Sequence, residues 1–311
     1  MEKNDAIRTA QVLAERWKTQ NIAVQTDAPM SRYTSFKAGG SAAVLVSVST
    51  EDALRQVLTD VADAGVKAML LGNGSNTLFR DSGYDGVVIR LSPEGGFGRM
   101  AREEGGKVRC GAAVLLSSFA KYVLSESLTG FEFASGIPGS LGGAVFMNAG
   151  AYGGEMKDVL VAVRAVSPDG GQVREFSAGE LALGYRRSAL AENGYIVTEA
   201  VLQLSPGDPE EIASRMRELA EKRNSKQPVQ YPSAGSTFKR PEGYFAGKLI
   251  EDAGLKGVSV GGAQVSVLHS GFIINTGGAT ATDILDLIAL VQNTVYDKFG
   301  VKLEPEVRII G

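Results

Sequence analysis

The residues of this 311-residue chain that could do chemistry fall in five short segments, most of them glycine- or proline-flanked. The first, Leu70-Leu-Gly-Asn-Gly-Ser-Asn-Thr-Leu78, follows an apolar run that reads as a strand. Successive backbone amides in such a loop can form an anion-binding hollow. Gly72, Asn73, Gly74, Ser75 and Asn76 are its candidate contacts, with a plain turn as the alternative. The second segment runs from Phe133 through Ser135-Gly-Ile-Pro-Gly139 to Asn148-Ala-Gly-Ala-Tyr-Gly153. So many small residues let backbone approach a flat ligand closely, or else make a tightly wound sheet edge. Two glycine-rich loops roughly 60 residues apart favour one large phosphate-bearing cofactor held between two lobes.

The third segment is Gly184-Tyr-Arg-Arg-Ser188. An arginine fork suits a carboxylate, a phosphate or a developing oxyanion, although composition alone favours a surface charge cluster. The fourth, Pro232–Pro241, sets Ser236 after Gly235 and near Lys239 and Arg240. A hydroxyl among cations can give up a proton because the alkoxide left behind is stabilised; a simple turn serine is the alternative. In the fifth, Leu303–Ile310, Glu306 and Arg308 alternate with Val307 and Ile309. The two charges therefore share one strand face, turned either to solvent or to a polar cleft.

Composition removes many other chemistries. A single cysteine, Cys110, excludes an internal disulfide and zinc sites built on cysteine pairs. A single histidine, His269, excludes histidine-cluster metal sites, so no metal is expected. No G-x-x-x-x-G-K-[ST] run occurs, and Thr77 stands where a dinucleotide fingerprint needs its third glycine. A net charge of −3 gives no basic footprint for nucleic acid beyond a local patch. No apolar run is long enough to span a membrane and the charged N-terminus lacks a signal-peptide core, so a cytoplasmic protein is expected. Glycine, at 39 residues, is about one in eight against an average of about 7%.

The elements that must position these segments are legible from periodicity. Ile7, Ala10, Leu13, Ala14 and Trp17 predict a helix over 5–18. Strands are expected at 42–48, 67–71 and 86–91, with a helix opening at Thr50-Glu51-Asp52 and closing at Gly65. This alternation describes an α/β lobe. Next come an irregular stretch over 96–106, a strand at 107–111, a helix over 115–128, and a hairpin of 159–167 with 172–176 around Pro168-Asp-Gly-Gly171. Ser177 and Glu180 suggest a capping box for a short helix. A strand over 195–204 precedes a helix opening at Asp208-Pro-Glu-Glu211. The remainder reads as an irregular stretch over 224–245, a helix near 244–253, strands at 258–267 and 271–275, a helix opening at Thr282-Asp283, and a final strand over 307–310. Residues 79–86 read as turns. The fold class is mixed α+β, with lobes over 1–100 and 101–206 and a smaller domain over 207–311.

As an ordered set, Gly72-Asn-Gly-Ser-Asn76, Ser135–Gly143, Asn148–Gly153, Tyr185-Arg186, Ala234-Gly-Ser-Thr-Phe238 and Leu303–Arg308 resemble the UDP-N-acetylenolpyruvoylglucosamine reductases, flavoenzymes of bacterial cell-wall precursor synthesis. The resemblance runs from about residue 33 to the end and is similar to the family's shorter type. It implies a two-lobed FAD-binding domain of the vanillyl-alcohol-oxidase type and a smaller α+β substrate-binding domain. It implies that NADPH reduces FAD and leaves, and that a sugar-nucleotide enolpyruvate then takes hydride at C3 and a proton at C2. The protein's part is to orient the reactants and stabilise charge.

Carried residue by residue, the resemblance places the enolate-stabilising arginine at Arg186, the proton donor at Ser236 and the paired carboxylate at Glu306, with Glu304 weaker. Gly72–Asn76 and Ser135, Gly136, Ile137, Pro138 and Gly139 would hold FAD, with Arg223 and Arg308 as further flavin contacts. Tyr152, Tyr185, Lys226, Lys239, Arg240 and Gln264 fall on the substrate side; Arg240 stands where the longer type has Asn. With His269 outside the FAD lobes, non-covalent FAD is expected. A monomer is the default. The rival readings are an oxygen-using oxidase on the same lobes and a non-catalytic sugar-nucleotide binder.

Overall fold

The computed structural model describes residues 3–311. The backbone divides into two compact units, one made of 3–26, 44–73 and 86–222, the other of 27–43, 74–85 and 223–311.

In the first unit, helix Lys3–Thr19 fully buries Ala10, Ala14 and Trp17, the apolar stripe that its spacing predicts. It is clamped to helix Glu51–Asp63 at Asp60. That buried carboxylate takes hydrogen bonds from Trp17 Nε1 at 2.8 Å, the Arg16 guanidinium at 2.9 Å and Gln56 Nε2 at 2.8 Å. Three donors are what a carboxylate needs to leave water without heavy cost. Thr50 caps helix Glu51–Asp63, its hydroxyl accepting from the Ala53 amide at 3.2 Å. A four-stranded sheet orders Ala23–Pro29, Ser41–Val48, Tyr84–Leu91 and Ala68–Leu70, the last pair parallel.

A five-stranded antiparallel sheet orders Val173–Ser177, Leu160–Val166, Ile196–Gln203, Lys107–Gly111 and Met100–Arg102. Helices Leu116–Ser125 and Leu141–Phe146 share its core, where the Phe119 and Phe131 rings meet edge-on at 4.7 Å. Glu51 grips Arg164 of this sheet with two bonds of 2.8 and 2.9 Å. Cys110 is fully buried there, and burial pushes its thiol pKa up, as suits a structural residue.

Three local expectations change in this unit. Met100–Arg102 is a strand inside the stretch that reads as irregular, because it adds an edge to Lys107–Gly111. The helix expected to reach Leu128 stops at Ser125, and Leu128–Thr129 pairs instead with Ser205–Pro206. Ser177 and Glu180 make the reciprocal bonds of a capping box, the Ser177 amide donating at 2.8 Å and the Glu180 amide at 3.4 Å, yet no helix follows. The chain turns there, and Ala189 donates back to the Leu181 carbonyl at 2.8 Å.

In the second unit, helices Ala246–Asp252 and Ala281–Phe299 share a core with the sheet Ser259–Val260, Ala263–Val265 and Ile273–Asn275. The strand expected over 258–267 is a hairpin, because Gly261-Gly262 makes a two-residue turn with Gly261 at φ +51°. Helix Ala281–Phe299 opens two residues earlier than its sequence suggests, capped by Thr280 and Asp283 in a reciprocal pair of 3.0 Å bonds. Thr282, the expected opener, instead donates its amide at 2.8 Å and its hydroxyl at 2.7 Å to Asp81, which also takes the Ala281 amide at 2.9 Å. Thr77–Phe79 is a strand, parallel to Arg308–Ile310. Residue 79 therefore ends a strand where the sequence reads as the start of a turn.

Candidate active site

The first glycine-rich loop leaves strand Ala68–Leu70 and enters strand Thr77–Phe79 without forming a helix. Among the described residues, no acceptor takes a hydrogen bond from the amides of Gly72, Asn73, Gly74, Ser75 or Asn76. Backbone donors on largely folded-in residues are rarely left unpaired, and five in succession make a ready cradle for oxyanions. Gly74 is buried at φ +66°, and a Cβ there would lie 2.0 Å from the Tyr33 carbonyl oxygen, so only glycine fits. Beside it, the Thr34 hydroxyl is buried with no partner, while the Ser35 amide donates to the Gly74 carbonyl at 3.1 Å. A dinucleotide with phosphates and hydroxyls is what such a donor-rich loop fits.

The second glycine-rich segment is brought to the first. Asn73 Nδ2 donates to the Pro138 carbonyl at 3.2 Å, and a Cβ on Gly72 would meet Ser140 Oγ at 2.9 Å. The Gly139 carbonyl is held by the Leu116 amide at 3.0 Å, and the Gly136 amide has no acceptor among the described residues. The Ser135 hydroxyl donates to the Glu132 carbonyl at 2.8 Å and so fixes its own turn.

Two turns of the same unit carry Tyr152, Tyr185 and Arg186, and both are strained. Gly150–Ala151 and Gly154–Glu155 form a hairpin joined by Tyr152-Gly153 at φ +53° and +89°. Such a turn ordinarily takes Asn-Gly, and here it holds Tyr152 exposed. Tyr185 and Arg186 occupy the middle of a turn closed by reciprocal Gly184–Arg187 backbone bonds of 3.0 and 3.1 Å. Arg186 sits at φ +54°, its guanidinium 5.2 Å from the centre of the exposed Tyr185 ring. A left-handed arginine costs about 1–2 kcal/mol, and strain of this kind persists where the surrounding structure over-determines it.

In the second unit the segment around Ser236 is pinned on two sides. Toward the sheet, the Thr237 amide donates to the Gly271 carbonyl at 2.8 Å, and the Thr237 hydroxyl accepts from the Ile273 amide at 3.0 Å. Toward the C-terminal strand, the Glu306 amide donates to the Thr237 carbonyl at 2.8 Å and the Lys239 amide to the Glu304 carbonyl at 2.9 Å. Ser236 is thus exposed on a fixed backbone next to the residue that holds Glu306. Asn76 completes the cluster: its Nδ2 donates to the Glu306 carbonyl and its own carbonyl accepts from the Arg308 amide, each at 3.1 Å. The expected alternation also holds, with Val307 buried between half-buried Glu306 and exposed Arg308.

Glu304 is taken up by Lys239, whose Nζ lies 3.0 Å from its carboxylate. Arg240 lies with its guanidinium 4.6 Å from the Phe245 ring centre. Gln264 stands one strand farther out, paired with Ile274, and its amide donates to Ser259 Oγ at 3.1 Å. Arg223 and Lys226 fall in the last turn of helix Pro209–Lys226, where three-residue spacing puts them side by side. His269 accepts from the Gly271 amide at Nδ1 at 3.1 Å, and burial lowers its pKa. Among the described residues, no group of three His, Cys, Asp or Glu could hold a metal ion, and no helix is long and apolar enough to cross a membrane.

Comparison with known proteins gives the family. Residues 42–175 match the family model of the FAD binding domain, so the chain is a flavin-dinucleotide-binding protein of mixed α+β fold. Residues 227–310 match the C-terminal domain of UDP-N-acetylenolpyruvoylglucosamine reductase. The reductase of that name from Alkaliphilus oremlandii is 52% identical over 288 residues, 93% of either chain, and the one from Clostridium perfringens is 47% identical over 308 residues, 99% of either chain. The crystal structure of the Thermus caldophilus reductase superposes with a TM-score of 0.79 at 37% identity, covering 93% of this chain and 99% of that one. The chain belongs to the UDP-N-acetylenolpyruvoylglucosamine reductase family.

At these loops Thr34 escapes sequence reading, and Asn148 is legible only as one residue of its motif. Thr34 offers no signal, because a threonine in a polar run looks like any turn residue. Asn148 offers a faint one: an asparagine before Ala-Gly is a frequent left-handed residue, and it sits at φ +42°.

Proposed function

We propose that this chain reduces UDP-N-acetylglucosamine enolpyruvate to UDP-N-acetylmuramate with electrons from NADPH, a step of peptidoglycan precursor synthesis in the cytoplasm. The observation that carries the reading is the pinned pair of segments that sets exposed Ser236 beside the backbone holding Glu306, Asn76 and Arg308. The unpaired amides of Gly72–Asn76, together with Gly136 and the Thr34 hydroxyl, are the groups that would hold non-covalent FAD. FAD held there would supply the hydride-transfer chemistry that links NADPH to the enolpyruvyl group.

The chain's own residues do the rest. Arg186 fixes the substrate carboxylate and stabilises the negative charge that grows there as C3 gains hydride. A donor preorganised for charge that develops only in the transition state is commonly worth about 10²–10³ in rate. Ser236 gives its proton to C2. Glu306 is the carboxylate of the site, its backbone amide tied to the Thr237 carbonyl beside Ser236. Tyr152, Tyr185, Lys226, Lys239, Arg240 and Gln264 contact the sugar nucleotide, and Arg223 and Arg308 contact the flavin. Stretches 1–100 and 101–206 serve FAD and 207–311 the substrate, and the protein works as a monomer.

The test is spectroscopic. The purified protein should be yellow, bleach with NADPH in the absence of oxygen, and recover colour on addition of the enolpyruvyl sugar nucleotide. Colourless protein that still binds UDP-sugars, or rapid recolouring by air alone, would overturn the reading. Ser236→Ala should bleach normally and recover slowly; the reverse pattern removes Ser236 from the proton-donor role.

A further inference from the structure

Arg186 occupies a backbone conformation that its side chain disfavours, so something must hold the turn that carries it. The turn is tied down at both ends. Asn148 Nδ2 donates to the Gly184 carbonyl at 3.0 Å, and Ser188 Oγ, fully buried, donates to the Phe146 carbonyl at 2.7 Å. Asn148 is itself only 1% exposed and its carboxamide is fully engaged. Beyond Gly184, its Nδ2 donates to the Glu155 carboxylate at 2.6 Å, and its Oδ1 accepts from the Lys157 amide at 2.9 Å. Glu155 ends the Tyr152 hairpin and pairs with Lys157. One buried side chain thus joins two strained turns, those of Tyr152 and of Arg186.

We infer that Asn148 is a positioning residue for Arg186, holding the 184–187 turn in the strained form that the reaction uses. The inference rests on the role proposed above for Arg186. The carboxamide suits the task because one planar group supplies two donors and an acceptor in fixed directions. An aspartate would set a charge against the Glu155 carboxylate and the Gly184 carbonyl. Asn148's own left-handed backbone is one that asparagine tolerates and that glycine preserves.

The experiment uses Asn148→Gly, which keeps that backbone and removes the carboxamide. In the holoenzyme, reduction of the flavin by NADPH should keep its normal rate, while reoxidation by the enolpyruvyl sugar nucleotide slows about 10- to 100-fold, the scale expected for a misplaced catalytic group. In Asn148→Gly/Arg186→Ala, reoxidation should be no slower than in Arg186→Ala alone, because a positioning group has nothing left to position. In the apoprotein, amide exchange of the 184–188 peptide should quicken selectively. Asn148→Asp serves if Asn148→Gly fails to fold. It should also slow reoxidation, and recover part of the rate relative to wild type as pH falls and the protonated acid can donate again. Normal reoxidation in these variants, or a double-variant loss equal to the product of the single losses, overturns the inference. Normal turnover of Arg186→Ala removes the role of Arg186 first; a slow Arg186→Ala beside a normal Asn148→Gly removes only the role of Asn148.

Discussion

Replacing Arg186 by glycine and by alanine should separate two properties that the wild-type residue combines. At φ +54° a side-chain-bearing residue is strained by about 1–2 kcal/mol. Glycine removes that strain but returns part of the gain, because its unfolded chain has more freedom to lose, an effect of about 0.4–1 kcal/mol. Alanine keeps the strain. Both variants lose the guanidinium and its contact with the exposed Tyr185 ring, worth about 0.5–1 kcal/mol. The common losses cancel in the comparison, so Arg186→Gly should exceed Arg186→Ala in stability by about 1 kcal/mol. In a unit of this size that corresponds to about 2–4 °C in melting temperature. Activity should show no such difference, since both variants lack the cation, and flavin reoxidation by the enolpyruvyl substrate should fall about 10²–10³-fold in each. Scanning calorimetry and anaerobic stopped-flow absorbance read the two quantities independently. If the alanine variant melts at or above the glycine variant, the strain argument is wrong. If the glycine variant reoxidises at the wild-type rate, Arg186 does not stabilise the enolate.

Two further outcomes follow from the loop and from the second unit's helix. Gly74→Ala sets a methyl group 2.0 Å from the Tyr33 carbonyl oxygen in a left-handed position, so it should cost about 1–3 kcal/mol from overpacking alone and leave the purified protein depleted of flavin, read as the absorbance ratio of flavin to protein. Normal flavin content in a stable Gly74→Ala protein would refute the role given to the loop. At Asp81, burial works to raise the carboxyl pKa, but the Thr282 hydroxyl and the Ala281 and Thr282 amides together hold it below the ordinary carboxylate range. A depressed carboxylate stabilises the fold above its unfolded pKa, and that stability is lost as pH falls through the folded value. Asp81→Asn should therefore lower stability at pH 7 by about 0.3–1 kcal/mol, the scale of a carboxylate charge at a helix N-terminus. The gap from wild type should begin to narrow as pH falls below the ordinary carboxylate pKa of about 4 and should close only at lower pH, once folded Asp81 is itself protonated; urea titrations in which the gap stays constant from pH 7 down to the acid limit of folding would contradict this.

Local pattern in the chain is enough for whatever depends on neighbours a few residues away. The stripe of helix Lys3–Thr19, the cap at Thr50, the Pro168-Asp-Gly-Gly171 hairpin and strand Lys107–Gly111 are local patterns, and they fold as their periodicity and turn chemistry dictate. The ordered motifs likewise carried the family and the FAD-binding fold, because glycine at a left-handed, crowded position such as Gly74 admits no other residue. Tertiary structure decided everything that one segment lends to a distant one. Thr77–Phe79 is a strand only because Arg308–Ile310 lies beside it, and helix Ala281–Phe299 begins where it does partly because Asp81 holds its first amides. Ser177 and Glu180 form their local box, yet the bond from Ala189 to Leu181 turns the chain before a helix can grow. The same holds for the site. Arg186 could be named from its motif, but its strain, and the buried Asn148 that holds its turn from 36 residues away, exist only once the chain is folded. A hydrogen bond between distant residues leaves no periodic trace in a sequence, because nothing local changes when its partner is present.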